Sequence, residues 1–151
     1  VITTEDRTAD AATGAIDPRK LLDAETFESL VRDLVEEEHE NLEAATRIVG
    51  QTLVFLRACA DSPGAMLSPS KRVDKGWHRF ILRTHLYAEF CERVAGRFLH
   101  HDPVCTADIQ SGAALARTVA ALHATGFHVD DELWDVSGDC SQCHAKCYDS
   151  P

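Results

Sequence analysis

The chain's 151 residues predict an all-α fold, a compact bundle of about four helices followed by an irregular Cys/His-rich C-terminal tail. Three observations carry that expectation. Apolar residues recur at helical spacing through most of residues 20–125. No strand-like alternation of useful length interrupts them. Three cysteines then crowd into Cys140–Cys147, a segment without an apolar stripe.

The elements follow in order. Residues 1–16, rich in Thr, Ala and Asp and lacking an apolar run of signal-peptide length, read as a disordered leader. Asp17-Pro18 opens a helical domain over 17–136, since proline suits a first helical turn. Asp23 is a natural N-cap for the stripe Phe27, Leu30, Val31, Leu34 and Val35. A second stripe, Leu42, Ala45, Val49, Leu53 and Leu56, follows, either as a continuation or as a new helix joined near Glu38–Asn41. Asp61-Ser62-Pro63-Gly64 and Ser68-Pro69-Ser70 mark a loop. Val73 to Ala95 then reads as one continuous helix with Val73, Trp77, Phe80, Ile81, Thr84, Tyr87, Ala88, Cys91 and Val94 on its buried side, and Gly96 as its cap. Thr106 caps a further helix through Ile109, Leu115, Val119 and Leu122 to Gly126, and Asp130–Trp134 adds a short turn. Residues 137–151 form the Cys-rich tail.

Charge excludes some functions. A formal net charge of −10 argues against coating nucleic acid or an anionic membrane, because both require a basic surface. No stretch has the length of a membrane span. The charge is also segregated. Asp23–Glu43 holds nine carboxylates against one Arg, whereas Lys71–Arg97 holds seven Lys/Arg against three carboxylates. Two complementary helix faces packed near each other explain this more simply than a partner-binding patch.

The six cysteines are not spaced as a disulfide framework. Their clustering points to metal or redox chemistry in a reducing, cytoplasmic setting. In Cys140-Ser-Gln-Cys143-His144-Ala-Lys-Cys147, two thiolates separated by two residues can turn to one side of a tight loop and bind one tetrahedral ion, the alternative being free thiols or one disulfide formed on oxidation. Cys147 or His144 adds a third ligand, and the fourth comes from His100, His101 or Cys105. Thiolate and imidazole suit Zn2+, with copper or iron as alternatives. Cys140-x-x-Cys143-His144 also satisfies the c-type haem attachment pattern.

His78 is the candidate catalytic residue. It pairs better with His100 or His101, if the following loop folds back, than with His85, which would lie about 10 Å further along one helix. Adjacent side chains diverge, so one of His100 and His101 faces any such site. Cys91 or Cys105 could serve as a nucleophile beside His78, although Cys91 falls on the apolar stripe and reads as a small buried hydrophobe. His39, His85, His123 and His128 read as solvated or hydrogen-bonded. Glu36-x-x-His39 is a single carboxylate–histidine motif where di-metal bundles carry two.

Val73-Asp74-Lys75-Gly76-Trp77-His78, then Tyr87-Ala88-Glu89-Phe90-Cys91, then His100-His101-Asp102-Pro103 resembles the glycine-rich-domain-containing protein-like family. The chain lacks that family's glycine-rich extension. Phe80 stands where many relatives carry a second His, which counts against a metal site built on paired histidines within this helix. The resemblance implies a cytoplasmic helical domain with His78 in a special position and Trp77 and Phe80 as core anchors.

Three functional expectations follow. The first is a zinc-binding domain of accessory or regulatory role. The second is a small metalloenzyme of bacterial secondary metabolism, with His78, His100 or His101 as metal ligand or general base. The third is a haem or redox protein using Cys140, Cys143 and His144. The metal ion is the one partner the sequence names; neither protein partner nor substrate can be read from it. Four protein ligands would favour a structural role, three plus water a catalytic one.

Overall fold

The computed structural model describes residues 14–102, 112–134 and 148–150. Asp17 accepts a hydrogen bond from the Arg19 amide and starts a 3-10 turn, Pro18–Leu21. Just before this turn, the Ile16 backbone bonds Gly126 O and the His128 amide. Helix α1, Ala24–Glu37, is capped by Asp23 and buries Phe27, Leu30, Val31 and Leu34. It stops at Glu38, and His39 turns the chain with a left-handed φ of 57°. Helix α2, Leu42–Asp61, is therefore separate, with Asn41 accepting from the Ala44 amide as its cap.

Thirteen of the twenty α2 residues are buried, so α2 is the central helix against which the others pack. Its amphipathic reading was too narrow: Ile48, Thr52 and Phe55 are buried beside Ala45, Val49, Leu53 and Leu56, whereas Leu42 is 69% exposed. Leu42 sits in the first turn, ahead of the point where α2 enters the core.

Val73–Ala95 is not one helix. Helix α3, Lys71–Leu82, capped by Ser70, and helix α4, Thr84–Ala95, are divided at Arg83. Arg83 leaves helical geometry (φ −90°, ψ 66°), and its guanidinium holds both Asp33 oxygens at 2.8 and 2.9 Å on α1. The break also lets Trp77 Nε1 donate to Tyr87 Oη at 2.9 Å. In a straight helix those residues would lie about 15 Å apart along the axis. The bend moves Thr84 and Ala88 to the surface, while Trp77, Phe80, Tyr87, Phe90 and Cys91 are fully buried. Gly96 ends α4 with φ 65°, the left-handed cap its position predicts.

Strand β1, His100–Asp102, follows. The next described helix, α5, begins at Ala113 after a left-handed Gly112 and runs to Ala124; the expected cap Thr106 lies outside the described residues. Helix α6, Asp131–Trp134, is one turn. Strand β2, Tyr148–Ser150, pairs antiparallel with β1, His101 opposite Asp149. This ladder and the Ile16–Phe127 bridge depart from an all-helical reading among the described residues, and three residues is too short a run for alternation to reveal. No described helix is long and apolar enough to cross a membrane.

The segregated charges meet across the helices. Arg79 binds Glu38 at 2.7 Å, and Arg72 and Lys75 share Glu40, beside the Arg83–Asp33 pair. Such partly exposed pairs add little stability each, and serve to set helix orientation. On the opposite side, Arg47 holds Asp130 at 2.6 Å and Glu132 at 2.7 Å, while Gln51 accepts from Trp134 Nε1 and donates to His128 O. The hydrogen bonds from Arg47 hold the Asp130 carboxyl below the usual carboxylate range. A carboxylate with a depressed folded pKa stabilises above its unfolded value and loses that contribution as pH falls through the folded one. Asp130→Asn should therefore cost roughly 1 kcal/mol at neutral pH in urea unfolding. The gap to wild type should close below about pH 4. A gap independent of pH would show that the ion pair is not its source.

Helices α2 and α3 approach closely at Gly76. A Cβ built there falls 2.1 Å from Thr52 Oγ1 and 3.1 Å from Ile48 Cγ2. Thr52 cannot swing away freely, because its hydroxyl bonds Ile48 O at 2.8 Å. Gly76→Ala should push the helices apart and cost about 1–3 kcal/mol, the range for overpacked cores. A variant as stable as wild type in thermal unfolding would contradict this close packing.

Candidate metal centre

Asp74 and His78 stand four residues apart on α3, a spacing that places both on one helix face. The chain returns after α4, and β1 brings His101 to the same face. His101 Nε2 lies 2.9 Å from Asp74 Oδ1, and His78 Nδ1 lies 3.4 Å from Asp74 Oδ2. One donor atom from each of the three residues lies within 4.8 Å of the others. Ligands of a tetrahedral zinc, about 2.0–2.2 Å from the ion, stand roughly 3.4 Å from one another. The three groups are therefore near ligand spacing already. An ion would replace the proton that Asp74 and His101 share and open that contact by about half an ångström.

The surroundings give the site an inside and an outside. Asp74 is 7% exposed, and the His101 side chain 9%. The His101 ring touches both the Trp77 ring, 4.1 Å away, and the His78 ring, 4.3 Å away. The His78 side chain is 53% exposed, so the site opens to solvent on that side. Partial burial pushes the His78 imidazole below the ordinary histidine value; Asp74 and Glu38 oppose this, while His101 and Arg79 add to it. The neutral imidazole thus favoured is the form that ligates a metal.

Of the residues singled out by sequence, His78 and His101 come together here. His100 does not join them: successive strand residues point to opposite faces, and its ring packs against Phe98 at 4.9 Å. Cys91, like Cys59, is buried in the core, so it packs as a small hydrophobe instead of standing beside His78. His85 lies beyond the Arg83 break, which removes any common helix face with His78. Glu36-x-x-His39 is interrupted because α1 ends at Glu37. Cys105, Cys140, Cys143, His144 and Cys147 lie outside the described residues.

Asp74 is the member that sequence reasoning did not single out. Its signal was present in Asp74-x-x-x-His78, a carboxylate and an imidazole one helical turn apart. That spacing is common on solvated helices, and only His101 arriving from β1 turns it into a constellation.

Comparison with known proteins corrects the expected relationship. A family model, UCP032817-like, matches residues 18–119, in place of the glycine-rich-domain-containing protein-like family that the short segments suggested. The Trp-His and Phe-Cys segments that carried the resemblance are short, and much of their content is core packing, which unrelated helices share. No curated protein and no solved structure matches the chain. Asp74, His78 and His101 all fall within the matched span, whereas Cys140–Cys147 falls beyond it. The match covers more than half of the sequence, and the chain belongs to the UCP032817-like family.

Proposed function

We propose that the protein binds one divalent metal ion, zinc, through Asp74, His78 and His101, at a site that keeps a coordination position open. The convergence of these three side chains from α3 and β1 carries the reading. One carboxylate and two imidazoles form a donor set that zinc accepts and that iron(II) shares. Three protein ligands and a half-exposed His78 favour the metalloenzyme alternative over a closed structural centre. A zinc ion there would lower the pKa of a bound water toward about 7, the chemistry of metal-assisted hydrolysis. His101, in contact with Trp77 and His78, would fix the ion's position from the buried side. The second reading places the zinc on the thiolates of Cys140, Cys143 and Cys147, in a tail whose ligand types suit the same ion.

Elemental analysis of the untagged full chain from a zinc-replete culture separates these readings. The triad predicts about one zinc per chain, retained in Cys143→Ser and lost in His101→Ala, since a site of this kind should be nearly filled. Zinc lost in Cys143→Ser and retained in His101→Ala would move the site to the tail. Wild-type protein carrying under about 0.2 metal per chain would overturn both.

A further inference from the structure

Resting on that metal reading, we infer that Tyr87 is the positioning residue of the centre, holding β1, and with it His101, against α3. The Tyr87 hydroxyl donates to Leu99 O and accepts from Trp77 Nε1 at 2.9 Å. Leu99 stands two residues before His101 and is fully buried. Phe98, one residue earlier, packs edge-on against the Tyr87 ring at 5.2 Å. The phenol thus grips the segment leading into β1 by its ring and by its hydroxyl.

Trp77 completes the latch. Its indole N–H is committed to Tyr87, which sets the ring plane, and the ring lies against His101 at 4.1 Å. Asp74, about one turn before Trp77, and His78, next to it in sequence, lie to the same side of it on α3 and are the other two ligands. One hydrogen-bonded pair therefore ties together the backbone that carries His101, the orientation of its ring, and the helix that supplies the remaining donors. Outer partners that orient ligands in this way typically change metal affinity by about 10–100-fold when removed. Burial pushes the Tyr87 hydroxyl well above the ordinary tyrosine value, so it remains a donor across the working pH range.

Tyr87→Phe keeps the ring packing against Phe80 and Phe98 and removes only the hydroxyl. The test is a Co2+ titration of the full chain, followed by visible d–d absorption. Leu122→Ala serves as a control for lost stability alone, since Leu122 is a buried residue on α5, which packs on α2. The expected result is a d–d band for wild type and Leu122→Ala at equal affinity, and a band shifted in shape and about 10–100-fold weaker binding for Tyr87→Phe.

Reciprocity supplies a second readout that needs no variant. If the latch strengthens metal binding, metal must strengthen the latch by the same factor. Hydrogen exchange of the Trp77 indole N–H in wild type should slow by about 10–100-fold on adding zinc, relative to the α5 amides. Wild-type protein that fails to bind Co2+ overturns the metal reading itself. Wild type that binds, with Tyr87→Phe binding equally and the indole exchange unchanged, overturns the positioning role alone.

Discussion

Trp77→Ala is expected to destabilise the protein by about 3–5 kcal/mol in urea unfolding, the range for large aromatic truncations in cores. Trp77 is fully buried, and Phe55 packs edge-on against it at 5.1 Å. Removing the indole opens a cavity between α2 and α3 and takes the hydrogen-bond donor away from Tyr87. Against a typical total of about 5–15 kcal/mol, the loss would leave a marginal fold. The same change strips one face from His101, so metal affinity should fall even in the fraction that stays folded. A cost under about 1 kcal/mol would mean that Trp77 is not the anchor of the core.

Asp74→Asn should have the largest effect on metal binding. Asp74 touches both histidines, at 2.9 and 3.4 Å, and brings the only carboxylate to the triad. The amide retains the shape, and can still hydrogen-bond, but it replaces a strong anionic ligand with a weak neutral one. Partners in the outer shell alone cost about 10–100-fold, so loss of this direct ligand should weaken zinc binding by at least about 100-fold in a competition titration with a chelator of known affinity. The folded state should survive, since no buried group loses its shape. Binding within about threefold of wild type would remove Asp74 from the coordination shell, because a factor that small is below 1 kcal/mol.

Local signals in the chain were legible. Asp23 and Gly96 act as helix caps because capping involves one side chain, or one left-handed residue, and its immediate neighbours. Phe27, Leu30, Val31 and Leu34 are buried because a period of 3.6 depends only on the helix that carries it. The opposed charges of Asp23–Glu43 and Lys71–Arg97 foretold contact between helices, which the Arg79–Glu38 and Arg83–Asp33 pairs make.

What the chain alone determined, then, is an all-helical domain with its stripes, its caps and three histidines worth watching, His78, His100 and His101. The tertiary structure decided that the Val73–Ala95 run is two helices. No Gly or Pro marks the break at Arg83; it is set by Asp33, fifty residues away, and by the Trp77–Tyr87 hydrogen bond that a straight helix forbids. It also decided which of His100 and His101 faces inward, because that depends on the pairing of β1 with β2 and on the Trp77 ring against which His101 rests. Asp74 became part of a site for the same reason. A carboxylate on a helix face is solvated until the chain folds an imidazole back against it, and that approach is made by residues distant in sequence.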